Sequence, residues 1–500
     1  MAILFNLIRG LCVRTQWTRI SASLFAFSAV SLSSVLNAQE SLVKEAASAL
    51  SKAATFFHEQ VAVEGGYVYL VSSDLKFREG EGVADPMTVW VQPPGTPAVG
   101  MALLEAYQRT GDNVLLEAAK DAGDCLVRGQ LHSGGWQDHI DFSPELRNKL
   151  AYRVEGERRK KARNLSTFDD DKTQSAVRFL CQLDKTLEFR NQRIHEATPF
   201  ALDSILKNQF ANGGWAQVYE LPPEPDKYPI LKAKYPADTW PREYPGGDYW
   251  FFYTINDNNI SKLIETLFLA AEVYSDERYR KSALKGADFL LLSQMPEPQP
   301  AWAQQYDFEM QPVWARKFEP PAVSGGESQN VIRTLMDVYI ETGDRKYLEP
   351  IPRAISYLEK CQLPGGKIPR FLELETNRPL YFTREYNLTY SSDDMPTHYG
   401  FITNSSIPKL QKDFRELENL TETALQSQRQ LRRASKPKEK PNEDTIRRVI
   451  SALDSRGAWI EPGQLRYHKG QSQVTQIITS ETFIRNIQTL SMYVGSRPFK

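Results

Sequence analysis

The chain has 500 residues, 41% hydrophobic, 25% charged and 11% aromatic, the make-up of a globular protein somewhat rich in rings. With 61 basic and 62 acidic residues the net charge is −1, which excludes a global field toward nucleic acid or an anionic membrane, so a polyanionic partner needs a local cluster. Six histidines leave little imidazole for acid–base chemistry.

The first segment stands apart. "MAILFNLIRGLCVRTQWTRI" carries arginines and no acid, "SASLFAFSAVSLSSVL" is apolar and small-residue-rich, and "NAQE" offers Ala38 at a cleavage position. That order predicts a secretory signal over 1–38, a secreted or periplasmic destination, and no membrane contact after cleavage. The remainder, 39–500, reads as a single domain. It holds Cys125, Cys181 and Cys361, an odd number without a CxxC spacing, each in a helical pattern and read as a small buried apolar residue.

A helical pattern over 42–60 opens the domain, followed by others at 97–109, 173–188, 260–274 and 327–341. Each of the last four leads into a turn and a second helical run. "TGDNVLLEAAKDAGDCLVRGQLHSGGW" (110–136) and "TGDRKYLEPIPRAISYLEKCQLPGGK" (342–367) both place a Gln 19 residues after the Gly of Gly-Asp. Arg190 to Gln209 and Ser275 to Gln294 keep that offset. A turn, an amphipathic helix and a terminating Gln, usually followed by Gly-Gly, repeat as helical hairpins. The segment 481–494 lacks its second helix and 42–60 its first, so the two are expected to pack together. The expected fold is all-α: an α/α toroid, an incomplete ring of helical hairpins with long loops and short strands lining a cleft. The segment 428–445 reads as a solvated connection.

Three connections are longer than a toroid needs: 137–166 with the basic run "GERRKKARN", 216–254 rich in Pro, Tyr and Trp, and 299–325. The first and second lead into the acidic motifs, and the third contains "QPVWARKFEPP". "STFDDDKTQSAVRFL" puts Asp169, Asp170 and Asp171 before a helix. One acid there serves as a helix cap; three repel one another unless a cation neutralises them. "TINDNNISKLIETL" repeats the arrangement with Asn256, Asp257, Asn258 and Asn259. Carboxylate and amide oxygens are the ligands calcium takes. On the positive side, "KIPRFLELETNRPLYFTRE" holds Arg370, Arg378 and Arg384, suited to carboxylate recognition or to ion pairs with Glu373, Glu375 or Glu385. "QPVWARKFEPP" adds Arg316 beside Trp314.

These motifs, with "GGWAQVYEL" and "WAQQYDFEMQPVWARKFEPPAVSGGES", lie in order across about 165–390 and resemble the family 10 polysaccharide lyases, pectate lyases with an α/α toroid fold. The resemblance implies calcium held by Asp169, Asp170 and Asp257, with Asp170 standing where the family often has Asn. It implies Arg316 as the base and Arg370 and Arg384 as substrate-binding residues, with Arg378 and Trp314 beside them. The resemblance also implies a substrate-binding lysine near 294–302, and "QMPEPQPAW" has none, so the chain departs from the family at that contact. The implied reaction is β-elimination on α-1,4-polygalacturonate by a monomer, giving 4,5-unsaturated products, with nearby positive charge and Trp314 lowering the Arg316 pKa.

Three other readings stay open at this point. A glycoside hydrolase on the same toroid would use two carboxylates such as Asp169 and Glu319. A catalytically inactive carbohydrate-binding toroid would keep the cleft without turnover. "QLHSGGW" and "QFANGGW" also resemble terpene cyclase repeats, although "FDDDK" opens a helix beside polar residues rather than an aromatic-walled cavity.

Overall fold

The computed structural model describes residues 40–224, 226–433, 441–470 and 473–496. The signal reading over 1–38 lies outside the described residues. Among the described residues no helix is long and apolar enough to cross a membrane.

The repeat is explained by its ends. Gly111 and Gly343 close the helices Thr96–Thr110 and Gly325–Thr342 with φ of 73° and 77°, the left-handed turn that glycine enters without strain. Asp112, Asn191, Asp276 and Asp344 then act as N-caps, each side chain accepting a backbone N–H two or three residues on. These caps start the helices Asn113–Gly129, Gln192–Lys207 and Glu277–Leu292, and the turn Arg345–Tyr347 that precedes Ile351–Lys360.

In three of the four copies the Gln that ends the helix staples two hairpins together. Gln130 Nε2 donates to Gly134 O (3.0 Å) and to Ala197 O of the next outer helix (2.9 Å). Gln209 does the same with Gly213 and Ser282, and Gln294 with Pro300 and Pro350. The tryptophans after the turns are fully buried, and their indole N–H groups donate back to the helix just ended: Trp136 to Leu126, Trp215 to Ile205 and Trp302 to Leu290. Trp459 donates to Val449 in the same way after the helix Glu443–Ser451. Leu453 stands six residues before Trp459, where Gln130 precedes Trp136 and Gln209 precedes Trp215, so this copy carries no Gln signature.

The helices Thr96–Thr110, Lys172–Thr186, Asn259–Tyr274, Gly325–Thr342 and Ile407–Glu418 follow one another as an inner layer, and Ser480–Gly495 packs on the free side of Thr96–Thr110. The helix 40–56 continues into the turn Phe57–Val61 and joins the last helix through Phe57 stacked on Phe483 (centroids 3.8 Å apart), the expected partnership. Among the described residues Ile407–Glu418 and Ser480–Gly495 make no comparable contact, so the ring of hairpins is incomplete. The all-α toroid is therefore the observed fold. The segment 428–445 is not one solvated connection: the helix Glu422–Arg433 runs through its start, with Arg429 Nε on Ile340 O, and Glu443–Ser451 begins before its end.

Because inner helices alternate with outer ones, all inner N-termini point to one end of the ring. Short strands connect the hairpins there. Ser166–Thr167 pairs with Val218–Tyr219, Tyr253–Thr254 with Gln305–Tyr306, and Ala322–Ser324 with Phe371–Glu373. The long loops are thus stitched to the mouths of the inner helices, where the N-terminal dipoles favour an anion. Cys125 and Cys181 are fully buried and Cys361 half-buried, all as free thiols.

Candidate active site

Two adjacent inner helices begin with the same backbone conformation. Asp170 and Asp171 have φ of 47° and 63°; Asp257 and Asn258 have 52° and 60°. Short polar residues tolerate this left-handed region better than others, because their side chains can bond locally. The turns correspond in register: Asp169 with Asn256, Asp170 with Asp257, Asp171 with Asn258, Lys172 with Asn259. The two turns pack against each other. They bring Asp169, Asp170 and Asp257 together, with one carboxylate oxygen from each within 4.8 Å of the others.

The electrostatics of this cluster follow from its burial. Desolvation, then the charges of Asp170, Glu327 and Asp169, push Asp257 up to about 7. Desolvation and the charge of Asp169 push Asp170 up to about 6, against the pull of Lys172. Like charges in a half-buried place demand either protons or a cation. Asp171 is not part of the set; its Oδ2 accepts from Arg178 at 2.5 Å. Gln92 Nε2 reaches Asp170 Oδ2 (3.3 Å) and Glu81 Oε1 (3.0 Å). The donor set of three hard carboxylate oxygens on fixed turns suits calcium better than a soft or imidazole-seeking metal.

Arg316 acts on the same cluster. Its charge works on both Asp170 and Asp257, lowering the pKa of each. Its backbone N–H and Nη2 donate to the two oxygens of Glu319 (3.0 and 2.5 Å), and Tyr399 OH also donates to Glu319 (2.8 Å). Burial alone would lower the Arg316 pKa, but the bond and charge of Glu319, then Tyr399 and Asp257, outweigh it, so the guanidinium holds its proton more tightly than usual. This corrects the expectation that its surroundings lower the pKa. Burial likewise pushes Glu319 up, and the Arg316 bond more than reverses that. A carboxylate so held is a poor general acid, which removes the support for a hydrolase built on Asp169 and Glu319.

Arg370 belongs to this cluster too. It donates to Gly400 O (2.8 Å) and Glu327 Oε1 (3.3 Å), and its guanidinium sits 4.8 Å from the Tyr399 ring centroid. A cleft of about 320 Å³ opens beside it, lined by Asp257, Asn258, Glu327, Gln329, Arg370 and Asn404.

Three expected substrate residues are placed differently. Arg384 is exposed and pairs with Asp394 (3.2 Å). Arg378 stacks on Tyr390, 3.4 Å from its centroid, while Glu373 is taken by Arg242, Tyr390 and Thr376. Among the described residues the side chains of Arg370, Arg378 and Arg384 form no ion pair with Glu373, Glu375 or Glu385; Arg378 meets Glu373 only through its backbone carbonyl, which accepts from Glu373 N (2.9 Å). Trp314 is only 4% exposed, donates to Pro241 O (2.8 Å), and packs among Trp240, Tyr244 and Phe382, so it supports the loop and leaves no ring face open to a ligand. Sequence reasoning missed Lys172, Glu327 and Tyr399. Glu327 at least carried a signal: Ser324 and Glu327 are spaced as a capping box, and the structure forms its first half, the Ser324 side chain accepting from Glu327 N, while Ser324 N donates to Trp302 O and Ser324 Oγ to the Glu327 carboxylate. Gln294 and Gln299, in the stretch without the expected lysine, are engaged by backbone groups and by Tyr357 and Asn377.

The family model described as pectic acid lyase matches residues 130–229 and 227–338. The match spans Asp169, Asp170, Asp257 and Arg316 and stops short of Arg370 and Arg384. It bears out the resemblance read from the motifs, and the coarse reading it supports is a polysaccharide lyase. No curated protein matches. Among solved structures, the chain is similar to a family 10 polysaccharide lyase from Cellvibrio cellulosa, at 20% identity over 64% of this chain and 98% of that one, with a TM-score of 0.45. It is also similar to a sugar epimerase from a ruminal bacterium (12% identity, 92% and 99% covered, TM-score 0.46). A cellobiose 2-epimerase from Bacillus thermoamylovorans resembles it comparably (13%, 92% and 100%, 0.45).

Proposed function

We propose that the chain is a calcium-dependent pectate lyase that cleaves α-1,4-polygalacturonate by β-elimination and leaves a 4,5-unsaturated uronate. The observation that carries this reading is the meeting of the acid triad, drawn from two hairpins, with Arg316 and Arg370 in one electrostatic cluster. A uronate carries its carboxylate next to the C5 proton. Calcium held by Asp169, Asp170 and Asp257 would bind that carboxylate and stabilise the charge that grows on it. Arg370, fixed by Glu327 and Gly400, orients the uronate as a charged donor. Arg316 is the group proposed to receive the C5 proton, the C5–H electrons forming the C4–C5 double bond as the C4–O bond breaks and the departing oxygen, taking a proton from solvent, becomes the new reducing-end hydroxyl.

Arg316 can do so only in its neutral form. At an ordinary value near 12.5, about 0.3% of a guanidine is neutral at pH 10, and Glu319 holds this one higher. Turnover on this mechanism therefore rises steeply into the alkaline range. Positive charge from the cation and from Arg370 opposes the proton on Arg316; Glu319 supports it.

The test is incubation with polygalacturonate while following ultraviolet absorbance from an unsaturated uronate, before and after a chelator. Absorbance that the chelator stops supports the proposal. Reducing sugar without absorbance indicates a hydrolase, and binding without either indicates a non-catalytic toroid. Export through a signal over 1–38, to the periplasm or the medium, belongs to the same proposal. Secretion of the full chain, compared with a chain beginning at Gln39, tests it.

A further inference from the structure

Lys172 closes the run that begins at Asp169, and its side chain is 4% exposed. Its Nζ lies 3.0 Å from Asp169 Oδ2, 3.0 Å from Asp138 Oδ1 and 3.8 Å from Asp170 Oδ2. Two of these three carboxylates belong to the triad. In the neighbouring turn, of matching conformation, the equivalent residue is the neutral Asn259, buried with neither amide atom hydrogen-bonded. The two turns thus share a backbone and a role in the acid cluster, yet only one of them brings its own cation.

A buried ammonium against two carboxylates of the triad has two consequences. It cancels part of the field that would draw in a divalent ion, because a cation there meets a positive charge held a few ångströms behind its ligands. It also compensates the acids when no cation is bound, which keeps the strained turn in place. Lys172 donates to Asp169 Oδ2 and stands further from Asp170.

We propose that Lys172 is a resident counter-ion of the acid triad. It shares Asp169 and Asp170 with the divalent cation, sets calcium affinity below that of the three carboxylates alone, and keeps the metal-free site folded. This rests on the reading of the triad as a cation site.

The experiment measures calcium binding by calorimetry and thermal unfolding in chelator or calcium, for the full chain and its variants at Lys172 and Asp257. Lys172→Met is expected to bind calcium roughly tenfold tighter, the scale on which a group touching a metal's ligands alters affinity. It should unfold at lower temperature in chelator and regain stability in calcium. Lys172→Arg keeps the charge and should bind calcium as the parent does. Asp257→Asn should abolish binding, alone and combined with Lys172→Met. Equal or weaker binding by Lys172→Met, with Asp257→Asn still abolishing it, overturns the role of Lys172 and leaves the cation site standing. Calcium heat that is absent from the parent and from Lys172→Met, or untouched by Asp257→Asn, overturns the cation site and this inference with it. Should Lys172→Met fold only with calcium, the concentration at its folding midpoint replaces the affinity, and failure of calcium to rescue it counts against the proposal.

Discussion

Glu319→Gln isolates the feature of the site that most opposes the proposed chemistry. Glu319 is buried, with its side chain 2% exposed, while that of Arg316 is 43% exposed. Opposite charges about 4 Å apart at an effective dielectric of about 20 attract by about 4 kcal/mol, or about three pH units on the arginine. The exposure of Arg316 screens this, and a surface-like pair contributes about 1 kcal/mol or less, so a shift of about one unit is the working value. The amide of Gln can still accept from Arg316 N or Tyr399 OH, so the loop keeps its anchor, and the cost in stability is about 1–2 kcal/mol. The sign is fixed: loss of the negative charge lowers the Arg316 pKa, the neutral form appears at lower pH, and the alkaline rise in kcat/KM moves down by about one unit. The assay is the initial rate of absorbance gain on polygalacturonate from about pH 7 to about pH 11, a range that brackets the expected rise, with unfolding followed separately. An unmoved profile, or one displaced upward, would refute Arg316 as the proton acceptor.

Arg370→Ala should lower kcat/KM on polygalacturonate by about 100-fold, having lost a charged donor held in place by Glu327 and Gly400; Arg384→Ala, an exposed pair with Asp394, should change it by less than about threefold in the same assay. Calcium should raise the melting temperature more at about pH 8 than at about pH 5, because Asp170 and Asp257, pushed to about 6 and about 7, hold protons that compete with the ion at the lower pH. The linkage sign for the metal-free protein is the reverse of that for a paired acid: these raised carboxyls bind more protons folded than unfolded, so their contribution to stability falls between about pH 4 and about pH 7 as they ionise. Trp314→Ala should cost about 3–5 kcal/mol in denaturant unfolding with little change in KM per folded molecule, since the ring is packed rather than presented. Gln130→Leu should cost about 2–3 kcal/mol, leaving the carbonyls of Gly134 and Ala197 without their buried donor.

The helices and their pairing were legible because they rest on local rules: apolar spacing, a glycine at the left-handed stop, an Asp or Asn at the cap. The Gln offset was visible before its meaning, because Gln130 and Gln209 act on carbonyls of the following hairpin, 67 and 73 residues away. The Trp459 copy was not legible, since Leu453 stands where the Gln would be and only the indole bond to Val449 repeats. At the site, the acids could be read because three in a row exceed the needs of a helix cap. Their partners were harder to read: Glu319 sits three residues from Arg316 but its bond there is not implied by the spacing, while Glu327 and Tyr399 reach Arg370 only because Ala322–Ser324 pairs with Phe371–Glu373 and Lys367–Pro369 pairs with Ile402–Asn404. Trp314 was ambiguous because an aromatic in a long loop can serve either a ligand or the loop's own small core, and here Trp240, Tyr244 and Phe382 surround it.

The twin turns are the step at which fold becomes chemistry. Holding Asp170, Asp171, Asp257 and Asn258 at positive φ costs about 1 kcal/mol or more at each position, and no helix start requires it. An ordinary cap, such as Asp112 at the head of Asn113–Gly129, sits in extended backbone and directs its oxygen at its own helix. The left-handed pairs instead bring Asp170 and Asp257 together, where neither caps its helix and the charge of Asp170 raises the pKa of Asp257. Strain and repulsion are thus concentrated in the same place, where Lys172 offsets part of the repulsion and a cation joining the carboxylates would offset more of it. On the proposed cation reading, an ion at the triad would favour the strained over the relaxed turn, and its occupancy would be linked to the order of two inner helices. Replacement of both left-handed pairs by residues that favour extended backbone would relax the turns, part the acids, and remove calcium binding while the outer helices and their Gln staples stay intact.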